Sequence, residues 1–147
     1  MKLIFLDIDG VLNSASGNEP YISDMEAEKL KLLKRLIDES GSSGVVITSD
    51  RRYSKVDMKH KAEAFKQFGI YIVGETRRPN QDDFEDSRGK QILDYLSSSK
   101  EDIDRIVILD DNDDGISNIF GEVFILINRF FGLNNGIYQQ ALDILNS

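Results

Sequence analysis

The chain has 147 residues, the length of one ordinary domain, and a core of that size needs no covalent staples. It contains no cysteine, which excludes a disulfide framework, a thiol nucleophile and a cysteine-based metal site. The formal net charge of −8 argues against non-specific binding of nucleic acid by the whole surface, and no stretch approaches the ~20 apolar residues of a membrane span. A single domain over residues 1–147, soluble and cytoplasmic with no membrane partner, is the expectation. Oligomeric state stays open.

Lys2 to Leu6 is a short apolar run ending at Asp7 and reads as a buried strand. Ser23 to Glu26 has the form of a capping box, and the helix behind it carries Leu30, Leu33, Leu36 and Ile37 on one face before Gly41. Gly44 to Thr48 is a second strand. A helix from about Ser54 follows, with Met58, Ala62 and Phe65 inward, ending at Gly69. Ile70 to Val73 is a third strand. Asp86 or Ser87 caps a helix carrying Ile92, Leu93, Tyr95 and Leu96. Ile106 to Leu109 is a fourth strand, again ending in acids; Val123 to Ile127 is a fifth, and Ile137 to Leu145 a last helix. Strands alternating with amphipathic helices imply right-handed crossovers and an α/β three-layer sandwich around a parallel sheet. Ligands of such sheets bind at the carboxyl ends of the strands. Those ends carry Asp7, Thr48, Ser49, Asp110 and Asp111.

Asp7 and Asp9 stand two residues apart at the end of a buried strand. Two unit charges about 4 Å apart repel by about 4 kcal/mol at an effective dielectric near 20, so such a pair calls for a cation or a shared proton. Oxygen ligands suit Mg2+, a hard ion that keeps several of its waters. Gly10 lets the backbone turn sharply just after the acids. The plainer reading is a strand end followed by an Asx-type turn.

The stretch Asp7-Ile8-Asp9-Gly10-Val11-Leu12 resembles the first motif of the haloacid dehalogenase-like (HAD) hydrolase superfamily. Val45 to Ser49 resembles the second, Lys90 at the head of a helix the third, and Ile106 to Asp111 the acidic fourth. The four motifs come in the right order and span nearly the whole chain. The resemblance implies a phosphomonoesterase on a HAD/Rossmann-like fold, with Asp7 as nucleophile and Asp9 as general acid and base. Ser49, or its neighbour Thr48, would donate to the phosphoryl group, and Lys90 would neutralise Asp7 and the phosphate. Mg2+ would be held by Asp7, the Asp9 backbone and the pair Asp110 and Asp111. Asp111 is favoured as the direct ligand, with Asp110 orienting Lys90 or a metal water; Asp114 is a further candidate that reads more readily as surface charge.

Thr48 to Arg52 and Arg88-Gly89-Lys90 are similar, more narrowly, to small HAD domains of polynucleotide phosphatases and bacterial RNA-repair proteins. This implies nucleic-acid ends or nucleotides as the phosphorylated partner, with Arg51 and Arg52 binding substrate. Lys55, Lys59, Lys61 and Lys66 extend that basic run, which otherwise reads as a solvated helix face. Phe130-Phe131 reads as core or edge packing. Larger members of the superfamily carry a cap domain. Here Val11 to Ile22 is long enough only for a flap, and Gly74 to Ser87 is too short for a domain, so an essentially capless, open site is expected. Two rival readings remain: a catalytically silent module that uses the acidic pocket for metal or protein binding, and a phosphotransferase on the same scaffold.

Overall fold

Because Leu3, Ile4, Phe5 and Leu6 are successive apolar residues, the strand Lys2–Leu6 must be covered on both faces. The computed structural model, which describes residues 1–15, 25–50 and 54–147, puts it at the centre of a five-stranded sheet. The elements are β1 (Lys2–Leu6), α1 (Ala27–Ser40), β2 (Gly44–Ile47), α2 (Lys55–Gln67), β3 (Ile72–Glu75), α3 (Arg88–Ser98), β4 (Arg105–Asp110), α4 (Ser117–Phe120), β5 (Phe124–Leu126) and α5 (Asn135–Asn146). All strand pairs are parallel, in the order β3-β2-β1-β4-β5. Ile4, Leu6, Val45, Ile47, Val107 and Leu109 pack on one side with Leu30, Leu33 and Leu36 of α1 and with Ala141 and Leu145 of α5. Leu3, Phe5, Val46 and Ile108 meet Ile92 of α3 and Ile116 on the other. Each such side chain, fully withdrawn from water, contributes roughly 1.5–3 kcal/mol. The three-layer α/β sandwich read from the sequence is the observed fold.

Strand order dictates where a site can form. The chain leaves β1 for β2 and β3, then returns across the sheet to β4 on the opposite flank of β1. Crossovers on either side of β1 diverge at its carboxyl end, which opens a crevice between the ends of β1 and β4. The register pairs Leu6 with Leu109, and the Asp7 amide donates to the Leu109 carbonyl at 3.0 Å. Asp7 and Asp110 therefore leave the sheet side by side. Residues 76–87, between β3 and α3, contain no helix or strand. Arg77 fastens this loop, gripping both Asp86 oxygens at 2.8 and 3.0 Å and Asp94 at 2.7 Å.

Several local expectations are corrected. Ser23 lies outside the described residues, and Glu26 is itself the N-cap of α1, with no side-chain capping bond. Its carboxylate is used elsewhere, accepting from Ser14 at 3.1 Å and Lys29 at 3.2 Å. On α2 it is Lys61 rather than Ala62 that is buried, beside Asp57 at 3.7 Å. β3 starts at Ile72 instead of Ile70, because the Ile70 amide still belongs to the end of α2, donating to the Phe65 carbonyl at 2.8 Å. The short α4 has no apolar periodicity to announce it. Phe130 and Phe131 are 51% and 66% exposed, not core. They follow an edge strand, on a turn that leads away from the sheet.

Candidate active site

The first strand delivers two carboxylates, and the turn after it aims them. Gly10 has φ 81°, and a Cβ there would overlap the Asp111 carboxylate, so the loops after β1 and β4 touch where any side chain would hold them apart. Asn13, wholly buried, accepts from the Gly10 amide through Oδ1 and donates from Nδ2 to Asp9 Oδ1, both at 2.9 Å. It fixes the Asp9 carboxylate. A single amide side chain closing an apolar Val11-Leu12 run is the signal that could have revealed it.

Asp7, Asp110 and Asp111 each offer an oxygen within 4.8 Å of the others. Asp7 and Asp110 are buried, and Asp111 is half-buried. Asp7 and Asp111, together with Asp9, Ser49 and Asp50, border a cleft of about 450 Å³, completed by Arg88, Asn112 and Arg129; Asp110 lies beneath it, fully buried. Ser49 lies on the cleft wall; Thr48, fully buried, does not. Successive side chains at a strand end point to opposite sides, which separates the two hydroxyls. Arg51 and Arg52 lie outside the described residues. Lys55 and Lys59 are exposed on α2 and do not line the cleft.

Lys90 does not reach the acids: its ammonium is 3.9 Å from Glu85 and its side chain is 42% exposed. Arg88 stands there instead. Its Nη1 is 2.8 Å from Asp110 and 3.6 Å from Asp7, and its Nη2 is 3.2 Å from Asp50. Two residues along an α-helix turn a side chain by about 200°, so a helix that aims Arg88 inward aims Lys90 away. The first turn of α3 is locked in that phase. Ser87 caps it by accepting from the Lys90 amide, and Asp114 accepts the Arg88 amide through its carboxylate and the Gly89 amide through its carbonyl. A Cβ on Gly89 would collide with the Gly115 carbonyl. Asp114, exposed as expected, thus anchors the helix that carries the cation. Gly89→Ala should push α3 off this loop and lower the melting temperature by several degrees, since overpacking costs about 1–3 kcal/mol; an unchanged melt would show that the contact has slack.

Burial, and then the neighbouring Asp110 charge, push the Asp7 carboxyl well above its ordinary value, against the pull of Arg88. Burial likewise raises Asp110 to about 6, with Arg88 opposing it. Burial would weaken the Arg88 proton, but Asp110 and Asp7 outweigh that and hold it above its usual range. Folded protein without a divalent cation therefore keeps protons that the unfolded chain releases near pH 4. By linkage, stability falls as pH rises from about 4 through about 6. Asp86, held low first by its hydrogen bond from Arg77, acts only below that window. In a chelator the melting temperature should drop by roughly 5 °C between pH 5 and 7.5, as a tenfold change in the acidity of one carboxyl corresponds to about 1.4 kcal/mol. Magnesium should restore it mainly at the higher pH. A flat or rising profile in chelator would refute this electrostatic picture.

The family described as "HAD domain in Swiss Army Knife RNA repair proteins" matches the chain over residues 3–136. No curated protein matches it. Among the described residues, no helix is long and apolar enough to cross a membrane.

Proposed function

Since the chain belongs to the family of HAD domains in Swiss Army Knife RNA repair proteins, a HAD-type hydrolase scaffold, we propose that it is a magnesium-dependent phosphomonoesterase acting through a phospho-aspartate on Asp7. The observation that supports this best is the convergence of Asp7, Asp110 and Asp111 within 4.8 Å at the strand switch point. Three oxygen donors, two of them buried, suit a hard divalent cation, and HAD proteins generally use Mg2+. Asp7 and Asp111 would hold the ion, with the Asp9 backbone carbonyl, while Asp110, already paired to Arg88, orients the set. The bound ion would screen the carboxylates and stabilise charge on the phosphoryl oxygens.

In the first step an Asp7 oxygen attacks phosphorus, and the bond from phosphorus to the ester oxygen breaks. Asp9, aligned by Asn13, gives its proton to that leaving oxygen. In the second step Asp9 takes a proton from water, the water oxygen attacks phosphorus, and the bond to Asp7 breaks. Phosphate leaves and the carboxylate is restored. Ser49 donates to a non-bridging oxygen, and Arg88 takes the part that the motif resemblance gives to Lys90, balancing Asp7 and the incoming phosphate.

Residues 76–87, between β3 and α3, contain no helix or strand, which supports a cleft that admits a phosphate at the end of a polymer. The family's description as part of RNA repair proteins supports the phosphorylated end of a nucleic acid as the substrate. An aryl phosphate assay with magnesium or with chelator tests the reaction, and hydroxylamine-labile label on the acid-quenched protein tests the intermediate. Expected are turnover with magnesium alone and label on Asp7. No turnover on aryl phosphates, nucleotides or phosphorylated oligonucleotides would favour the silent module; transfer of the phosphoryl group to an alcohol in preference to water would favour the phosphotransferase.

A further inference from the structure

We propose that the turn 128–132 is a stacking platform for the unpaired RNA strand that leads away from the phosphorylated end. The inference rests on the phosphatase reading only for the position of that end. Singly exposed apolar residues are ordinary on protein surfaces; two adjacent phenyl rings, each more than half exposed, are not. They are also rigidly presented. The amide of Phe130 donates to Asn128 Oδ1 at 2.9 Å, and the amides of Phe131 and Gly132 donate to the Asn128 carbonyl at 3.0 and 2.8 Å. On either side, the Arg129 carbonyl accepts from Ala15 and the Leu133 amide donates to Val11, both at 2.8 Å, pinning the turn to the loop that follows the nucleophile.

The turn joins two clefts. Arg129 borders the cleft above Asp7, and its guanidinium lies 5.2 Å from the centroid of the Phe130 ring. Phe131 borders a second cleft of about 620 Å³ between α1 and the start of α5, lined by Lys31 and by Lys29 and Arg35, which pair with Glu26 at 3.2 Å and Glu39 at 2.8 Å. An aromatic pair flanked by cations suits a strand whose bases stack while its phosphates meet positive charge. The end phosphate would sit in the first cleft, the adjoining bases on Phe130 and Phe131, and the next phosphate by Lys31. A duplex keeps its bases stacked on one another and offers the rings nothing.

Binding of a labelled single-stranded RNA of about ten nucleotides with hydroxyl ends, followed by anisotropy on the full chain, tests this without turnover. Binding should weaken as salt rises, and the Phe130→Ala, Phe131→Ala double variant should lose about tenfold or more in affinity. Phe131→Leu, which keeps apolar bulk without a ring, should lose part of the same affinity while melting like the parent. Lys31→Glu should flatten the slope of log affinity against log salt by about 0.7, the loss of one phosphate contact. No binding at low salt, unchanged affinity in the double phenylalanine variant, or equal affinity for duplex would overturn the platform. RNA binding intact in a protein that hydrolyses no phosphate would leave the platform standing and defeat the proposed reaction; the converse result would do the reverse.

Discussion

Asp7→Asn should reduce hydrolysis of a phosphate monoester by roughly four orders of magnitude or more while the protein still folds. The side chain keeps its shape but loses the attacking oxyanion, and removal of a nucleophile that acts in concert with its neighbours typically forfeits most of the rate. The same change relieves a buried acid crowded by Asp110 and Asp111. In chelator at pH 7.5 the variant should therefore melt a few degrees above the parent, and magnesium should no longer add as much. The two readouts move in opposite directions, which separates loss of chemistry from loss of structure. Near-normal single-turnover rates in Asp7→Asn would sink the phospho-aspartate mechanism.

Arg88→Ala and Lys90→Ala form the second decisive comparison. Arg88 has a mostly buried guanidinium between Asp110, Asp7 and Asp50, so its removal leaves buried carboxylates uncompensated. Breaking such a pair from one side costs about 3–5 kcal/mol, although uptake of protons by Asp110 and Asp7 will soften the loss. Turnover should drop by about a hundredfold or more, in line with removal of a preorganised charge at a reacting group. Lys90 faces Glu85 across 3.9 Å on an exposed surface, and its replacement should change stability by less than about 1 kcal/mol and leave turnover near the parent value. Chemical denaturation and steady-state kinetics on the two variants decide the matter. A greater loss of activity from Lys90→Ala would restore the lysine to the site and imply that α3 changes phase in solution.

The contrast between these two cations marks how far sequence reading reaches. Asp7, Asp9, Asp110 and Asp111 are legible because each follows an apolar run, and the carboxyl ends of parallel strands converge whatever the details of packing. Sequence leaves open whether Thr48 or Ser49 faces the cleft; strand alternation settles it only once the sheet is known. Arg88 escapes sequence reading because helix phase is fixed by tertiary contacts: the Gly89 approach to Gly115 and the Asp114 acceptors come from a loop distant in sequence. Arg129 and the two phenylalanines lie after an edge strand, where no periodicity reports which way a side chain turns. Likewise the apolar pattern places the edge strand β3 two residues early, while the central strand β1 reads at its observed bounds.

Pairing of β1 with β4 has a kinetic consequence. These strands are joined by about a hundred residues, and their ladder brings Leu6 beside Leu109, hence Asp7 beside Asp110. The step that closes the sheet is thus the step that presses like charges together, after a long loop has already been closed. Refolding of the parent chain in chelator should be slower at pH 7.5 than at pH 5, and magnesium or Asp7→Asn should remove most of the difference. The fold reaches its central strand pair against the repulsion that its chemistry requires.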